Sequence, residues 1–173
     1  MNLKKTFILI STLLFGWSIS FSSCSNSKPT QKESSEKTKK EMEGIYFESI
    51  AKGVMHGAGD EGIDEGHVRV TSASEMHEML EKMNRVNDQV DESLMPSSDY
   101  FEEYIMVFLF DKVRGSGGHS ISTKNTYSNG EEIFIDVELK SPTGPATSVM
   151  TQPYEVIQLE KSENPISVRI TEL

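Results

Sequence analysis

The stretch Tyr104-Ile105-Met106-Val107-Phe108-Leu109-Phe110 is continuously apolar and is bounded by acidic residues on both sides. Seven residues are too few for a helix of ordinary length, and the run contains no polar position that would mark a solvent-facing side. The stretch therefore predicts a central β-strand that is buried on both of its faces.

Four further strands are predicted downstream of this central strand. Segments 119–127 and 131–140 flank Ser128-Asn129-Gly130, a strong signal for a β-hairpin. In the second arm, apolar side chains alternate with acidic ones, which indicates a half-buried strand. The apolar positions are Ile133, Ile135, Val137 and Leu139. Segments 154–159 and 166–170 predict two more strands.

Two strands and one helix are predicted upstream of the central strand. The strands cover 45–55 and 67–71. Ser72, followed three residues later by Glu75, forms a capping box. Apolar side chains then recur at helical spacing, at Met76, Met79, Leu80, Met83 and Val86. The sequence thus predicts an α+β or mostly β fold, as a single domain with about seven strands in a largely antiparallel sheet or sandwich and one amphipathic helix.

The single cysteine, Cys24, closes a segment with the layout of a secretory signal peptide. A positively charged start is followed by the apolar run 7–19. Phe21-Ser22-Ser23 then precedes the cysteine and resembles the lipobox of bacterial lipoproteins. In those proteins the cysteine receives a diacylglyceryl group and becomes the first residue after cleavage. We expect residues 1–23 to be the signal peptide and Cys24 to carry the lipid; an uncleaved anchor helix is the alternative.

We therefore expect the protein to be located in the bacterial cell envelope, outside the cytoplasm. Acyl chains on Cys24 would attach it to the membrane. The outer membrane is favoured over the inner one where a cell has two. Residues 25–43 hold five Lys, four Glu and four Ser, with Met42 as the only large apolar residue. We therefore expect 24–43 to be a lipidated cysteine with a flexible tether, and 44–173 to be the folded domain.

The composition of the domain excludes a nucleic-acid partner, disulfide bonds and cysteine catalysis. From residue 44 onward the chain has 10 basic and 23 acidic side chains, a charge of the wrong sign for a nucleic-acid partner. No cysteine follows Cys24, so disulfides and cysteine catalysis are excluded from the domain.

Three patterns in the sequence are candidate sites of chemistry. The loop with His56, Asp60, Asp64 and His67 carries ligand types for a cation, but its spacing does not match an EF-hand, and an exposed acidic loop is the favoured explanation. His77-Glu78-Met79-Leu80-Glu81 lacks the second histidine of a zinc-protease helix. Arg114-Gly115-Ser116-Gly117-Gly118-His119 lacks the lysine and the following helix of a phosphate-binding loop. The sequence therefore predicts no enzyme, no bound metal and no cofactor.

Four short motifs occur in the order and spacing of the C-terminal domain of PrcB-type protease-complex subunits, which this chain resembles over 101–159. They are Phe108-Leu109-Phe110, Ser116-Gly117-Gly118-His119-Ser120-Ile121, Ser141-Pro142-Thr143-Gly144-Pro145 and Thr151-Gln152-Pro153-Tyr154-Glu155-Val156-Ile157. Ser116, His119 and Gln152 stand where the family pattern has threonine, tyrosine and serine. The family takes its name from a lipoprotein that associates with a surface protease and supports that complex. The resemblance implies a non-catalytic, lipid-anchored accessory module.

The hypothesis is therefore a protein-interaction domain, an accessory subunit whose partner is an envelope protease or another envelope protein. Its predicted surface is formed by loops 115–120 and 141–153. Gly117, Gly118, His119, Pro153 and Tyr154 are the candidate binding residues. Two alternatives stay open: a protease inhibitor that uses the same loops, and a lipoprotein that binds a cation or small ligand through 56–67.

Overall fold

The computed structural model describes residues 41–88, 90–97 and 99–173; the predicted signal peptide, Cys24 and most of the predicted tether lie outside the described residues. The strands are β1 (Glu43–Gly44), β2 (Phe47–Met55), β3 (Gly66–Val70), β4 (Tyr104–Phe110), β5 (Ser120–Ser128), β6 (Ile133–Lys140), β7 (Gln152–Glu160) and β8 (Ile166–Glu172). The helices are α1 (Ala73–Met83) and α2 (Tyr100–Glu103), with a short 3-10 helix at Glu92–Leu94. The predicted mostly β, single-domain fold is confirmed.

The strands form two four-stranded sheets with the orders β1-β5-β6-β8 and β2-β7-β4-β3. All pairings are antiparallel except that of β6 with β8, which is parallel. Only Ile45 and Tyr46 separate β1 from β2, so the chain passes from one sheet to the other almost without a loop. The result is a sandwich in which β5 and β6 face β4 and β7.

The strand β4 is central, as its sequence predicts, because it pairs with β3 on one side and with β7 on the other. Its odd-numbered side chains point between the sheets, and its even-numbered ones point towards α1. Two apolar layers therefore meet on one strand, which explains the unbroken run of apolar residues. The inter-sheet positions are Ile105, Val107 and Leu109, and the helix-facing ones are Met106, Phe108 and Phe110.

The helix α1 begins at the position that the capping box predicts. It ends at Met83, before Val86, which is the last residue of the apolar pattern. The Ser72 hydroxyl accepts a hydrogen bond from the amide of Glu75 at 3.2 Å, and Met76, Met79, Leu80 and Met83 are buried. Beyond Met83, the Asn84 side chain bonds the main chain of Val90 in both directions, at 2.9 Å each. This turns the chain away from the helix axis and leaves Val86 exposed. No helix in the described ranges is long and apolar enough to cross a membrane.

A charged residue, Glu155 on β7, lies fully buried between the two sheets. Its carboxylate accepts hydrogen bonds from the Ser49 hydroxyl at 2.7 Å and from the amide and hydroxyl of Thr123, and it pairs with the Lys52 ammonium at 2.9 Å. The strands that supply these donors, β2 and β5, are each irregular at this level, with a register shift after Ser49 and after Thr123. The irregularities aim donors inwards, so the buried charge is satisfied.

Candidate functional site

The two loops predicted to form the binding surface lie side by side. One joins β4 to β5 and contains residues 114–119; the other joins β6 to β7 and contains 141–151. Arg114 and Thr151 form a two-way main-chain bridge, with N–O distances of 2.7 and 3.0 Å. The Thr151 hydroxyl also donates to the carbonyl of Ser116 at 2.9 Å. We call residues 114–119 and 141–151 together the two-loop surface.

The two candidate glycines allow this close approach. Gly117 is buried and donates its amide hydrogen to the carbonyl of Thr147 at 3.0 Å; a Cβ there would lie 2.4 Å from the Thr147 hydroxyl oxygen. Gly118 has a φ of +86°, and a Cβ there would lie 3.0 Å from Cβ of Pro142. Gly118 thus meets two demands that only glycine satisfies at low cost, a left-handed backbone and a close neighbour.

A buried ion pair holds the first loop in place. The Arg114 guanidinium donates to both carboxylate oxygens of Asp111, at 2.6 and 2.9 Å, and Asp111 is almost fully buried. The hydrogen bond to Asp111 raises the pKa of Arg114, and the charges of Asp111 and Glu172 act in the same direction. Because Arg114 is also the residue whose main chain bridges Thr151, the ion pair positions both loops at once.

The half-buried His119 contacts Ser116, and the pair does not have the arrangement of a nucleophile and its base. The Ser116 hydroxyl lies 3.1 Å from Nε2 of His119. Nδ1 of the ring is buried and has no partner among the described residues. A base of this kind is normally oriented by an acceptor on its second nitrogen, which stabilises the imidazolium. The contact between two residues that both depart from the family pattern is therefore best explained as bracing of the loop.

Pro153 and Tyr154 are buried at the start of β7. The Tyr154 ring covers Gly53 on β2, where a Cβ would lie 2.8 Å from the ring, and burial raises the pKa of the Tyr154 hydroxyl. The preceding Gln152 donates to the carbonyls of Ile63 and Asp111, at 2.9 and 3.0 Å. These residues anchor the end of the second loop, and direct contact of Pro153 or Tyr154 with a partner stays a prediction.

The outer part of the two-loop surface is uncharged and partly apolar. Between 141 and 150 every residue except Pro142 is exposed, and no charged side chain occurs from 141 to 154. Val149 is 46% exposed and Met150 is 48% exposed. Neither residue was predicted from the sequence, although two adjacent apolar residues in a loop rich in proline, glycine, serine and threonine were a usable signal.

The acidic loop, residues 56–65, joins β2 to β3, the strand that contains His67. The four candidate metal ligands are all exposed: His56, Asp60, Asp64 and His67. The pKa of His67 is lowered because the surrounding protein partly desolvates its imidazole. Across the part of the chain that the structure describes, no group of three or more His, Cys, Asp or Glu side chains could hold a metal ion. The described part of the chain therefore provides no coordinating set for the cation hypothesis.

The segment that contains the two-loop surface is similar to a known protein family. The family model described as PrcB C-terminal matches residues 105–160, which run from β4 through the β5–β6 hairpin to the end of β7 and include both loops. No curated protein and no solved structure gives a significant match to the chain. The resemblance carried by the four motifs is thus confirmed: residues 105–160 of this chain are similar to the PrcB C-terminal family.

Proposed function

We propose that this protein is a lipid-anchored accessory protein of the bacterial envelope that docks on a protease complex through its two-loop surface. The observation that carries the proposal is the coincidence of the family segment, residues 105–160, with two loops that bind each other through main-chain hydrogen bonds. The similarity of residues 105–160 to the PrcB C-terminal family points to a protease-complex partner and to an accessory rather than catalytic role.

The surface has the chemistry of the centre of a protein interface. Such centres are depleted in charge and enriched in large apolar side chains, methionine among them. The domain is strongly acidic, yet the stretch 141–154 is uncharged and exposes Val149 and Met150. The hydrogen bonds to Arg114, Ser116 and Gly117 hold this stretch before a partner arrives, which lowers the entropy lost on binding.

The proposed docking is tested with the full chain in its native envelope. In cells carrying Val149→Asp together with Met150→Asp, we expect the protease complex to lose this protein on affinity purification. Val86→Asp is the matched control, because Val86 is exposed to a similar degree, 42%, and lies outside the two-loop surface. Equal recovery of the complex with both variants would contradict the proposal.

The proposed anchor is tested separately through Cys24, the only thiol in the chain. Because no other cysteine can accept the lipid, Cys24→Ser should abolish incorporation of radiolabelled palmitate and release the protein from the membrane fraction. Label appearing in the Cys24→Ser protein would contradict anchoring at this residue.

A second candidate function, inhibition of the peptidase itself, is favoured by one specific observation. Residues 148–150 lie exposed between Thr147 and Thr151, and both flanking residues are fixed by hydrogen bonds to the first loop. An exposed segment fixed at both ends resembles a substrate held in one conformation. Slower hydrolysis of a peptide substrate by the partner peptidase, when the full chain is added, would distinguish inhibition from docking alone.

A further inference from the structure

We infer that residues 148–150 enter the substrate cleft of the partner peptidase, with the Met150 side chain in its primary, apolar specificity pocket. The inference rests on the proposed function for the identity of the partner as a peptidase. It adds the segment that binds, the residue that anchors it and the class of pocket that receives that residue.

The main-chain anchors on either side of the segment support this assignment. Before it, the carbonyl of Thr147 accepts from the Gly117 amide at 3.0 Å. After it, the amide and carbonyl of Thr151 are both bonded to Arg114, which is held in turn by the buried Asp111. Between these anchors the three residues are exposed and make no hydrogen bond within the described part of the chain. Their main-chain groups are therefore free to pair with an extended-chain binding cleft.

Met150 is the better anchor of the two apolar side chains. It is the longest side chain in the exposed part of the second loop, is 48% exposed, and is unbranched, so it adapts to the shape of a pocket. Val149 is β-branched and shorter. Interface energy is concentrated in a few side chains that fill partner pockets, and a single long apolar residue projecting from an uncharged loop fits this description.

The position of Thr151 favours inhibition over rapid turnover. Thr151 is 2% exposed, belongs to the bridge with Arg114 and leads directly into β7. If the peptidase adds water across the Met150–Thr151 peptide bond, the new amine on Thr151 stays anchored. The new carboxylate on Met150 is held nearby through the Thr147 anchor. Both ends remain in the cleft, and the bond can re-form with loss of the same water.

The test uses the full chain in detergent with two peptidases of known pocket chemistry. Chymotrypsin has an apolar primary pocket, and trypsin has an aspartate in its pocket. We expect the wild-type chain to slow chymotrypsin at least tenfold more than trypsin, and Met150→Lys to reverse this preference. Val86→Lys is the control for the added charge and should leave the wild-type preference unchanged.

Three results would overturn the inference: no inhibition of chymotrypsin by the wild-type chain, an unchanged preference in Met150→Lys, or complete cleavage after Met150 within a few turnovers. These results leave docking intact if the protease complex still retains the protein in the native envelope. Conversely, inhibition that switches with residue 150, together with no association in the envelope, would support the pocket assignment and contradict the proposed partner. A melting temperature within about 2 °C of wild type confirms that Met150→Lys is folded, since exposed substitutions change stability little.

Discussion

Two glycine-containing loops connect strands of this domain: the acidic loop, and the second loop of the two-loop surface, residues 141–151. The two loops differ in which groups, side chain or main chain, make contacts towards the interior of the domain. In the acidic loop the fully buried side chain is Glu61, whose carboxylate accepts the amide hydrogen of Gly57 at 2.9 Å. In the second loop the main chain makes the inward contacts, and Val149 and Met150 point outwards. A loop that buries its polar group closes on its own domain, whereas one that exposes apolar groups is available to another protein.

The largest effect expected from this comparison is at Gly57. A Cβ there would lie 2.2 Å from Oε1 of the buried Glu61, so Gly57→Val must displace that carboxylate. We expect a loss of about 3 kcal/mol in the free energy of unfolding, as for other overpacked buried positions. Chemical denaturation measures this loss. Gly115→Val is the control, because a Cβ at Gly115 meets nothing within 4 Å. Equal stability of the two variants would show that Glu61 does not close the acidic loop.

The next effect is at Gly118 in the two-loop surface. Gly118→Val combines a φ of +86° with a contact to Pro142, and we expect it to cost about 1–2 kcal/mol. The same denaturation experiment and the same Gly115→Val control apply. A Gly118→Val protein as stable as wild type would mean that the loop relaxes without cost, and the proposed preorganisation would then be wrong.

A smaller effect separates bracing from binding at His119. If the contact with Ser116 only braces the loop, His119→Ala and Ser116→Ala should each cost about 1 kcal/mol, and the double variant no more than either single one. Thermal melts of the three variants test this. An additive loss would show that the two side chains act independently, and unchanged melts with weaker association in the envelope would make His119 a binding residue.

The smallest effect is expected at the exposed carboxylates of the acidic loop. Asp60→Asn together with Asp64→Asn should change the free energy of unfolding by less than about 0.5 kcal/mol, because neither side chain is buried. Added calcium or zinc should not shift the melting temperature of the wild-type protein. A metal-dependent rise that the double variant abolishes would restore the cation hypothesis for this loop.

Local patterns in the sequence predicted most of the elements. The apolar run of β4 and the Ser128-Asn129-Gly130 turn signal led to the correct strand and hairpin, because each signal is contained in a few neighbouring residues. The strand β1 and the helix α2 were missed, since elements of two and four residues have no measurable period. The end of α1 was placed too late because Asn84 bonds to Val90, outside the periodic segment.

The buried polar residues were beyond prediction for a different reason. Glu155 looked like an ordinary acidic residue, and its partners Ser49, Lys52 and Thr123 come from two other strands that fold against β7. The two loops were predicted to form one surface because both are turn-rich segments held by the predicted sheet, but the hydrogen bonds that join them were not predicted. The orientation of Val149 and Met150 depends on main-chain bonds to Arg114 and Gly117 that no local pattern contains.

Site-specific photocrosslinking in the native envelope tests the central claim most directly, because it asks which of the two loops meets a partner. A photoreactive residue replaces Val149 in one full-length variant and Asp64 in the other, both exposed positions. The proposed function predicts a discrete adduct with a subunit of a protease complex from position 149 and none from position 64. An adduct from position 64, with none from position 149, would contradict it.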